Sequence, residues 1–371
     1  MKRNRREFLK VSGVAGISLA SAGILKANSL AMGSRQRKNK VIMDKALATL
    51  QDGSVLATSY WRIESGREGP SFLLIAAQHG NEVQGVEVAR RLMEICAVQL
   101  VNGTVWIIPM AELRGIRARK YTIESLPDKL VQDKAFHRAW PGDPEGNDTE
   151  RIAYALDQSV VRHCSHAVDM HCWNHFWAAE TLSITNHEPS HAMGEVTTTR
   201  FISYREGSVP DRETKLMFGP LMYNRGAAYT VMELSGQYQM QERQVRIGLS
   251  SMVNIVKMLG MIEGEPELID GPRAVRSREN NHEVKTPHSG IFMPALRKDK
   301  SAMLIPDDYV EKGQLLGHVI RDTNLETVLI SAPVSGYLRQ FGSRHPGSDT
   351  FLSAQHPFVE EGENVAQITT V

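Results

Sequence analysis

The chain has 371 residues, more than one average domain, and its 42% hydrophobic and 23% charged residues are ordinary for a globular protein. Forty-three basic residues balance 42 acidic ones, so the charge does not indicate a nucleic-acid partner or a membrane-surface protein. Three cysteines, Cys96, Cys164 and Cys172, are too few for a disulfide framework, and the lack of Cys-x-x-Cys spacing argues against a cysteine-built zinc site or a thioredoxin-like motif. We expect buried thiols, with a Cys164–Cys172 bridge as the alternative.

The first 31 residues have the layout of an export signal. Arg5 and Arg6 precede an apolar run over 11–25 that is rich in Gly, Ala and Ser, and a small-x-small cleavage site ends at Ala31. The run is too short and too weakly apolar for a transmembrane helix. We predict a twin-arginine-type signal peptide over 1–31 and a periplasmic protein without stable membrane insertion after cleavage. An uncleaved anchor and a basic amphipathic helix are the alternatives.

Strand and helix patterns alternate through the next part of the chain. Helical spacing of apolar residues covers 82–100, and a second helix opens at Thr149 as its N-cap. Short apolar runs predict strands at 71–77, 104–108, 167–171 and 228–233. The alternation predicts an α/β domain over 41–272 with a mostly parallel sheet, and chemistry in such domains gathers at the carboxyl ends of strands.

The C-terminal part has a different texture and repeats itself. Residues 273–283 are charged, polar and without periodicity, which predicts a linker. Two motifs then recur, 286–290 at 332–336 and 310–313 at 359–362. The duplication predicts a smaller all-β domain over 284–371, similar to a lipoyl- or biotinyl-type barrel-sandwich. Those carriers need a lysine at an exposed hairpin tip, and 321–324 has none, so we expect a scaffold or a lid.

Two segments carry candidate metal ligands. His79 and Glu82 follow a predicted buried strand and can present a nitrogen and a carboxylate in one direction. His171 ends another strand, with Asp169 on the same face to fix its tautomer. Two histidines and one glutamate leave a coordination position for water, as in catalytic zinc sites. The alternatives are a solvent-facing helix start for Glu82 and, for His171, a core histidine or a pair with His175.

Glu233 is the candidate catalytic base. It lies near the end of an apolar strand pattern, where a carboxylate needs a specific reason to be present. A water molecule activated by a metal needs a base that accepts its proton and passes it to the leaving amine. The alternative is a buried ion pair with an arginine.

Together these residues resemble the succinylglutamate desuccinylase/aspartoacylase family of the zinc carboxypeptidase superfamily. The resemblance is carried by His79-Gly80-Asn81-Glu82, by Asp169-Met170-His171 where the family has Asp-Leu-His, and by Glu233 in a Glu-x-x-Gly run. Arg138-Ala139-Trp140-Pro141-Gly142 and Thr149-Glu150-Arg151 fit two further family stretches. The resemblance implies a zinc-carboxypeptidase-like mixed sheet flanked by helices.

The resemblance also implies the roles of the site residues. One zinc ion would bind to His79, Glu82 and His171, Glu233 would move the proton, and Arg138 would polarise the scissile carbonyl or stabilise its oxyanion. The implied substrate is a small molecule with a carboxylate, and Arg119 is our candidate to bind that carboxylate, because an arginine fork suits it. We therefore expect hydrolysis of the amide bond of an N-acyl amino acid.

The substrate-binding stretches depart from the family. Its Asn-Pro is Glu112-Leu113 here, and His137 replaces the asparagine that helps to hold a substrate carboxylate. Acetylaspartate and succinylglutamate are therefore poor candidates for the substrate. Two further hypotheses stay open: a periplasmic metallocarboxypeptidase that acts on peptides, and an inactive carboxylate-binding protein. The metal residues and Glu233 argue against the second, because a binding protein needs no base.

Overall fold

The computed structural model describes residues 39–123, 135–208, 216–342 and 357–371. The signal peptide predicted for 1–31 lies outside these ranges. Within them, no helix combines the length and the apolar character that a membrane crossing requires. The three cysteines are free and buried, as expected.

The first nine strands form one mixed sheet. They are β1 Lys40–Thr49, β2 Val55–Glu64, β3 Ser71–Ala76, β4 Thr104–Ile108, β5 His166–Trp173, β6 Glu180–Ile184, β7 Phe201–Arg205, β8 Ala228–Ser235 and β9 Ala274–Val275. Their order is β1-β2-β4-β3-β5-β8-β6-β7-β9. The four predicted strands are β3, β4, β5 and β8, which form the parallel centre. The predicted mixed α/β fold is confirmed.

Helices cover both faces of this sheet. They are α1 Gln84–Gln99, α2 Leu113–Ala118, α3 Asp148–Ser159, α4 Glu188–Glu195, α5 Phe218–Asn224 and α6 Glu242–Met258, with short 3-10 helices at Phe136–Arg138 and Val161–His163. In β3, Leu73 and Ile75 join the core with α3 and α5, whereas Phe72 and Leu74 join the core with α1 and α6. Burial on both faces explains the unbroken apolar run of β3.

Two of the predicted boundaries were wrong. Helix α3 is capped by Asn147 rather than by Thr149, because Asn147 and Glu150 form a reciprocal capping box. The predicted linker 273–283 contains β9, which pairs with β7 and extends the large sheet. Two residues of strand are too short to produce a periodic pattern.

The last eight strands form two four-stranded sheets. They are β10 Asn281–Lys285, β11 Gly290–Pro294, β12 Tyr309–Val310, β13 Leu315–Arg321, β14 Thr327–Ser331, β15 Gly336–Phe341, β16 Phe358–Val359 and β17 Asn364–Thr369. The sheet orders are β10-β17-β15-β12 and β14-β13-β11-β16. The repeat relates β10 to β14, β11 to β15, β12 to β16 and β13 to β17. Exchanging each strand for its counterpart converts one sheet order into the other. The repeated glycines Gly313 and Gly362 have nearly equal φ values of 82° and 85°. The repeat seen in the sequence is thus a structural duplication.

The C-terminal sheets contact the large sheet through β15. The backbone N–H of Phe341 donates to the Phe176 carbonyl at 2.9 Å, and the N–H of Ala178 donates to the Arg339 carbonyl at 2.8 Å. The Arg339 guanidinium, itself buried, lies 2.7 Å from the buried carboxylate of Glu180. The segment after β5 is therefore bound to the C-terminal sheets.

Candidate metal centre

His79, Glu82 and His171 converge in the structure. The turn between β3 and α1 carries His79 and Glu82, and β5 carries His171. One ligand atom from each lies within 4.8 Å of the others. The Nδ1 atoms of His79 and His171 each lie 2.8 Å from a different oxygen of Glu82. Glu82 is only 3% exposed, so it does not occupy the solvent-facing helix start that was the alternative.

The turn that presents His79 requires a glycine next to it. A Cβ atom at Gly80 would clash with the backbone carbonyl of Gly115 in α2. The backbone N–H of Gly80 also donates to the Tyr121 carbonyl at 3.2 Å. The close approach of this turn to α2 fixes the positions of His79 and Glu82.

A buried chain of hydrogen bonds orients His171. Its Nε2 lies 3.1 Å from Asp169, so the expected pairing with that carboxylate is present. The side-chain amide of Gln78 donates to the other oxygen of Asp169 at 2.6 Å, and the indole N–H of Trp140 donates to Gln78 at 2.8 Å. The Nδ1 atom of His171 is thereby directed at Glu82.

The donor set fits a zinc ion. Two imidazoles and a carboxylate are the ligands of many catalytic zinc sites, and here their donor atoms face one another in a buried pocket. Burial opposes ionisation of Glu82, yet the two imidazoles hold the pKa of its carboxyl below the usual value. Burial also opposes protonation of His171, yet Asp169 and Glu82 raise its pKa well above 6.5. The Glu82 and Asp169 carboxylates thus favour positive charge at this position, which here is a proton on His171.

Glu233 lies across the strand pair from a metal residue. Strands β5 and β8 place Glu233 directly opposite His171. Burial raises the pKa of the Glu233 carboxyl to about 8; Glu82 and Asp169 add to the rise, and His171 opposes it. In the part of the chain that the structure describes, no arginine or lysine forms an ion pair with Glu233, which disfavours the ion-pair alternative.

A cavity of about 580 Å³ opens next to these residues. His137 and Arg138 line it, from the short helix Phe136–Arg138. The Nε atom of Arg138 is buried and has no hydrogen-bond partner among the described residues. Arg119 lies exposed at the end of α2 and is not among the lining residues, so its predicted role gains no support.

Several lining residues were not predicted from the sequence. Tyr121 stacks on His79 with 4.0 Å between ring centroids, and Gln237 donates to Glu82 at 3.1 Å. Trp173, Trp177 and Arg205 also line the cavity. An aromatic cluster after His171 was the one signal that could have indicated the two tryptophans.

The chain is similar in sequence to proteins of one known family. The model of the succinylglutamate desuccinylase/aspartoacylase catalytic domain matches residues 68–258. The N-alpha-acetyl-L-2,4-diaminobutyric acid deacetylase of Halomonas elongata is 24% identical over 234 residues, and the match covers 61% of this chain and 65% of that relative.

Solved structures share the fold. A succinylglutamate desuccinylase of Silicibacter sp. TM1040 gives a TM-score of 0.63 at 19% identity and covers 94% of this chain and all of that one. The product-bound ectoine utilization protein EutE of Ruegeria pomeroyi gives 0.62 at 19% identity and covers 90% and 96%. Since the family model matches more than half of the sequence, the chain belongs to the succinylglutamate desuccinylase/aspartoacylase family.

Proposed function

We propose that this protein is a zinc-dependent hydrolase that cleaves the amide bond of an N-acyl amino acid or a similar small substrate with a carboxylate. The observation that carries the proposal is the convergence of His79, Glu82 and His171 beside Glu233 and Arg138 in one cavity. The deacetylase name of the Halomonas relative supports the same class of reaction.

The residues of this chain have distinct tasks in such a reaction. Zinc bound by His79, Glu82 and His171 would lower the pKa of a water molecule and polarise a carbonyl group. Glu233 accepts a proton from the water whose oxygen adds to the carbonyl carbon, and passes it to the amine nitrogen as the carbon–nitrogen bond breaks. The Arg138 guanidinium donates hydrogen bonds to the carbonyl oxygen as negative charge develops there.

The test is the Glu233→Gln variant, assayed against N-acyl amino acids by the release of free amine. Loss of the base should lower turnover by roughly 10²–10⁴-fold, because proton transfer contributes about that much. Bound zinc, measured by metal analysis, should stay at one ion per chain, because the three ligands are unchanged. The exposed Glu188→Gln is the matched control and should keep wild-type turnover.

Three results would contradict the proposal. Full turnover in Glu233→Gln would remove the base from the mechanism. Release of C-terminal residues from peptides, with no cleavage of N-acyl amino acids, would favour a metallocarboxypeptidase. Binding without turnover in a zinc-loaded preparation would indicate a carboxylate-binding protein.

A further inference from the structure

On one face of the large sheet, the side chains of His171 and Glu233 form a row, here called the catalytic row, and an apolar surface lies next to it. Asp169 and Val231 are paired on β5 and β8, two residues before the pair of His171 and Glu233. Leu182 on β6 is paired with Val231. Since strand side chains alternate, the three residues on this second row face the same side as the catalytic row, and all of them line the cavity.

The surface continues one row further. Tyr229 and Ile184 lie two residues beyond Val231 and Leu182 on the same strands and also line the cavity. Phe218 in α5 belongs to the same apolar cluster and also lines the cavity. A Cβ atom at Gly219 would clash with the ring of Tyr229, so α5 packs directly against that ring. We call Val231, Leu182, Tyr229 and Ile184 the apolar floor of the cavity.

Trp173 and Trp177 add an aromatic wall. Their ring centroids are 6.0 Å apart, and both rings line the cavity. The Arg339 guanidinium lies 4.5 Å from the Trp177 ring centroid and 5.6 Å from that of Trp173. The Arg339 charge is paired with Glu180, so the guanidinium that packs against the two rings is already neutralised.

We propose that the cavity takes substrates with a large apolar group, either an extended or aromatic acyl chain or an apolar amino-acid side chain. This inference rests on the proposed function, because the reactive carbonyl must lie beside His171 and Glu233 while the apolar group of the same substrate lies on the apolar floor. Acetyl and carboxylate-tipped groups would leave the apolar floor uncovered.

Two substrate series test the inference on the zinc-loaded protein. The first varies the acyl group on alanine from acetyl to butyryl, hexanoyl and phenylacetyl; the second varies the amino acid of N-acetyl substrates through Gly, Asp, Leu and Phe. At least one series should gain tenfold or more in kcat/KM with apolar size, since each methylene in an apolar pocket changes kcat/KM by about tenfold or more. The highest kcat/KM for small or acidic members in both series would overturn it. No hydrolysis of any member would instead count against the proposed function.

The Val231→Thr variant tests whether the apolar floor produces the preference for apolar substrates. Threonine keeps the shape of valine but adds a hydroxyl, so the preference for the apolar member should fall by roughly tenfold while zinc content is unchanged. Val253→Thr, in α6 outside the cavity, is the matched control and should leave the preference intact. Thermal unfolding of both variants checks that each is folded. An unchanged preference in folded Val231→Thr would remove the floor from substrate recognition.

A separate observation concerns His137. Its Nδ1 lies 2.7 Å from Nε2 of His79, the nitrogen opposite the one that faces Glu82. A hydrogen bond between two neutral imidazole nitrogens needs one donor and one acceptor. If Nδ1 of His79 is free to bind a metal, the His79 proton is on Nε2, and His137 is the acceptor.

We infer that His137 is a positioning residue for the metal ligand His79, in addition to lining the cavity. It does for His79 what Asp169 does for His171, with a neutral acceptor in place of a carboxylate. The sequence had predicted only that His137 contacts a substrate carboxylate.

Zinc affinity, measured by competition with a chelator, tests this role without recourse to activity. His137→Phe removes the acceptor and should weaken zinc binding by about 10–100-fold. His137→Asn keeps an acceptor oxygen and should recover most of the affinity. An unchanged zinc affinity in folded His137→Phe, with only KM raised, would show that His137 acts on the substrate alone.

Discussion

Glu112 illustrates how one residue can leave the family pattern for a local reason. Its carboxylate caps α2, accepting from the backbone N–H groups of Arg114 at 3.2 Å and Gly115 at 3.4 Å. It also forms an ion pair with the Arg114 side chain at 3.0 Å. Glu112 is therefore a structural residue of this turn, and the altered position does not itself contact the cavity.

Arg138 gives the clearest test at this scale. Arg138→Lys keeps the positive charge but loses the planar fork, so it should lower kcat by roughly 10²-fold through weaker stabilisation of the developing charge. Zinc affinity should be unchanged. Steady-state kinetics beside a chelator titration measures both. A kcat near the wild-type value would show that the carbonyl is polarised without this guanidinium.

The residues of the centre could be predicted because each lies near the end of a recognisable strand, His171 and Glu233 two residues before the ends of β5 and β8. His79 and Glu82 are close in sequence, and His171 and Glu233 follow apolar runs that predict strands. Arg205 and Trp177 could not be predicted as cavity residues, since only the paths of β7 and β15 bring them there. Arg119 was predicted only because a guanidinium suits a carboxylate, and the residues around it do not indicate where its side chain points.

At the level of elements, β1 shows why the edge of the large sheet was not predicted. Its side chains Val41, Met43 and Leu47 are 45%, 55% and 62% exposed. Apolar residues thus point away from the core, against the usual alternation. The central strands were predicted because burial on both faces leaves a continuous apolar run.

The contact between α6 and the C-terminal sheets predicts a pH effect on stability. Asp307 lies 2.6 Å from Arg243 of α6, while its Oδ1 atom is buried without a partner among the described residues. Burial raises the pKa of Asp307 to about 6, above its ordinary 3.8. Between these values the folded state binds more protons than the unfolded state, so this residue's contribution to the free energy of unfolding rises as the pH falls from about 6 to 4.

Asp307→Asn removes that titration. Urea unfolding of both proteins at pH 7.5 and pH 5 should show wild type gaining stability relative to the variant at the lower pH. A relative gain at the higher pH would mean that the ion pair with Arg243 outweighs the burial of the carboxyl.

At the scale of the whole molecule, Arg339 and Glu180 join the C-terminal sheets to the large sheet. Removing one partner, as in Arg339→Met, leaves a buried charge and should lower the free energy of unfolding by about 3–5 kcal/mol. The double variant Arg339→Met/Glu180→Leu removes both charges and should recover much of the loss. Urea unfolding of the three proteins measures this. Equal losses in the single and double variants would mean that cation–π packing on Trp177 dominates.

The export proposal also concerns the whole chain. Replacing Arg5 and Arg6 by lysines should keep the protein in the cytoplasm of a bacterial host, because the receptor recognises the arginine pair. Immunoblots of periplasmic and cytoplasmic fractions measure the distribution. A variant in which one lysine is introduced outside the pair, at Asn4, is the control. Unaltered export of the double variant would exclude the twin-arginine route.

The duplicated C-terminal strands have a consequence for how this part of the chain is completed. Each sheet takes two strands from each copy of the repeat, so a single copy would supply only half of either four-stranded sheet. Strand β17 lies inside its sheet, hydrogen-bonded to both β10 and β15. Loss of the last eight residues would therefore open a gap in the middle of a sheet rather than trim an edge: β10 would lose its pairing with β17, and β15 would keep only its two-residue pairing with β12.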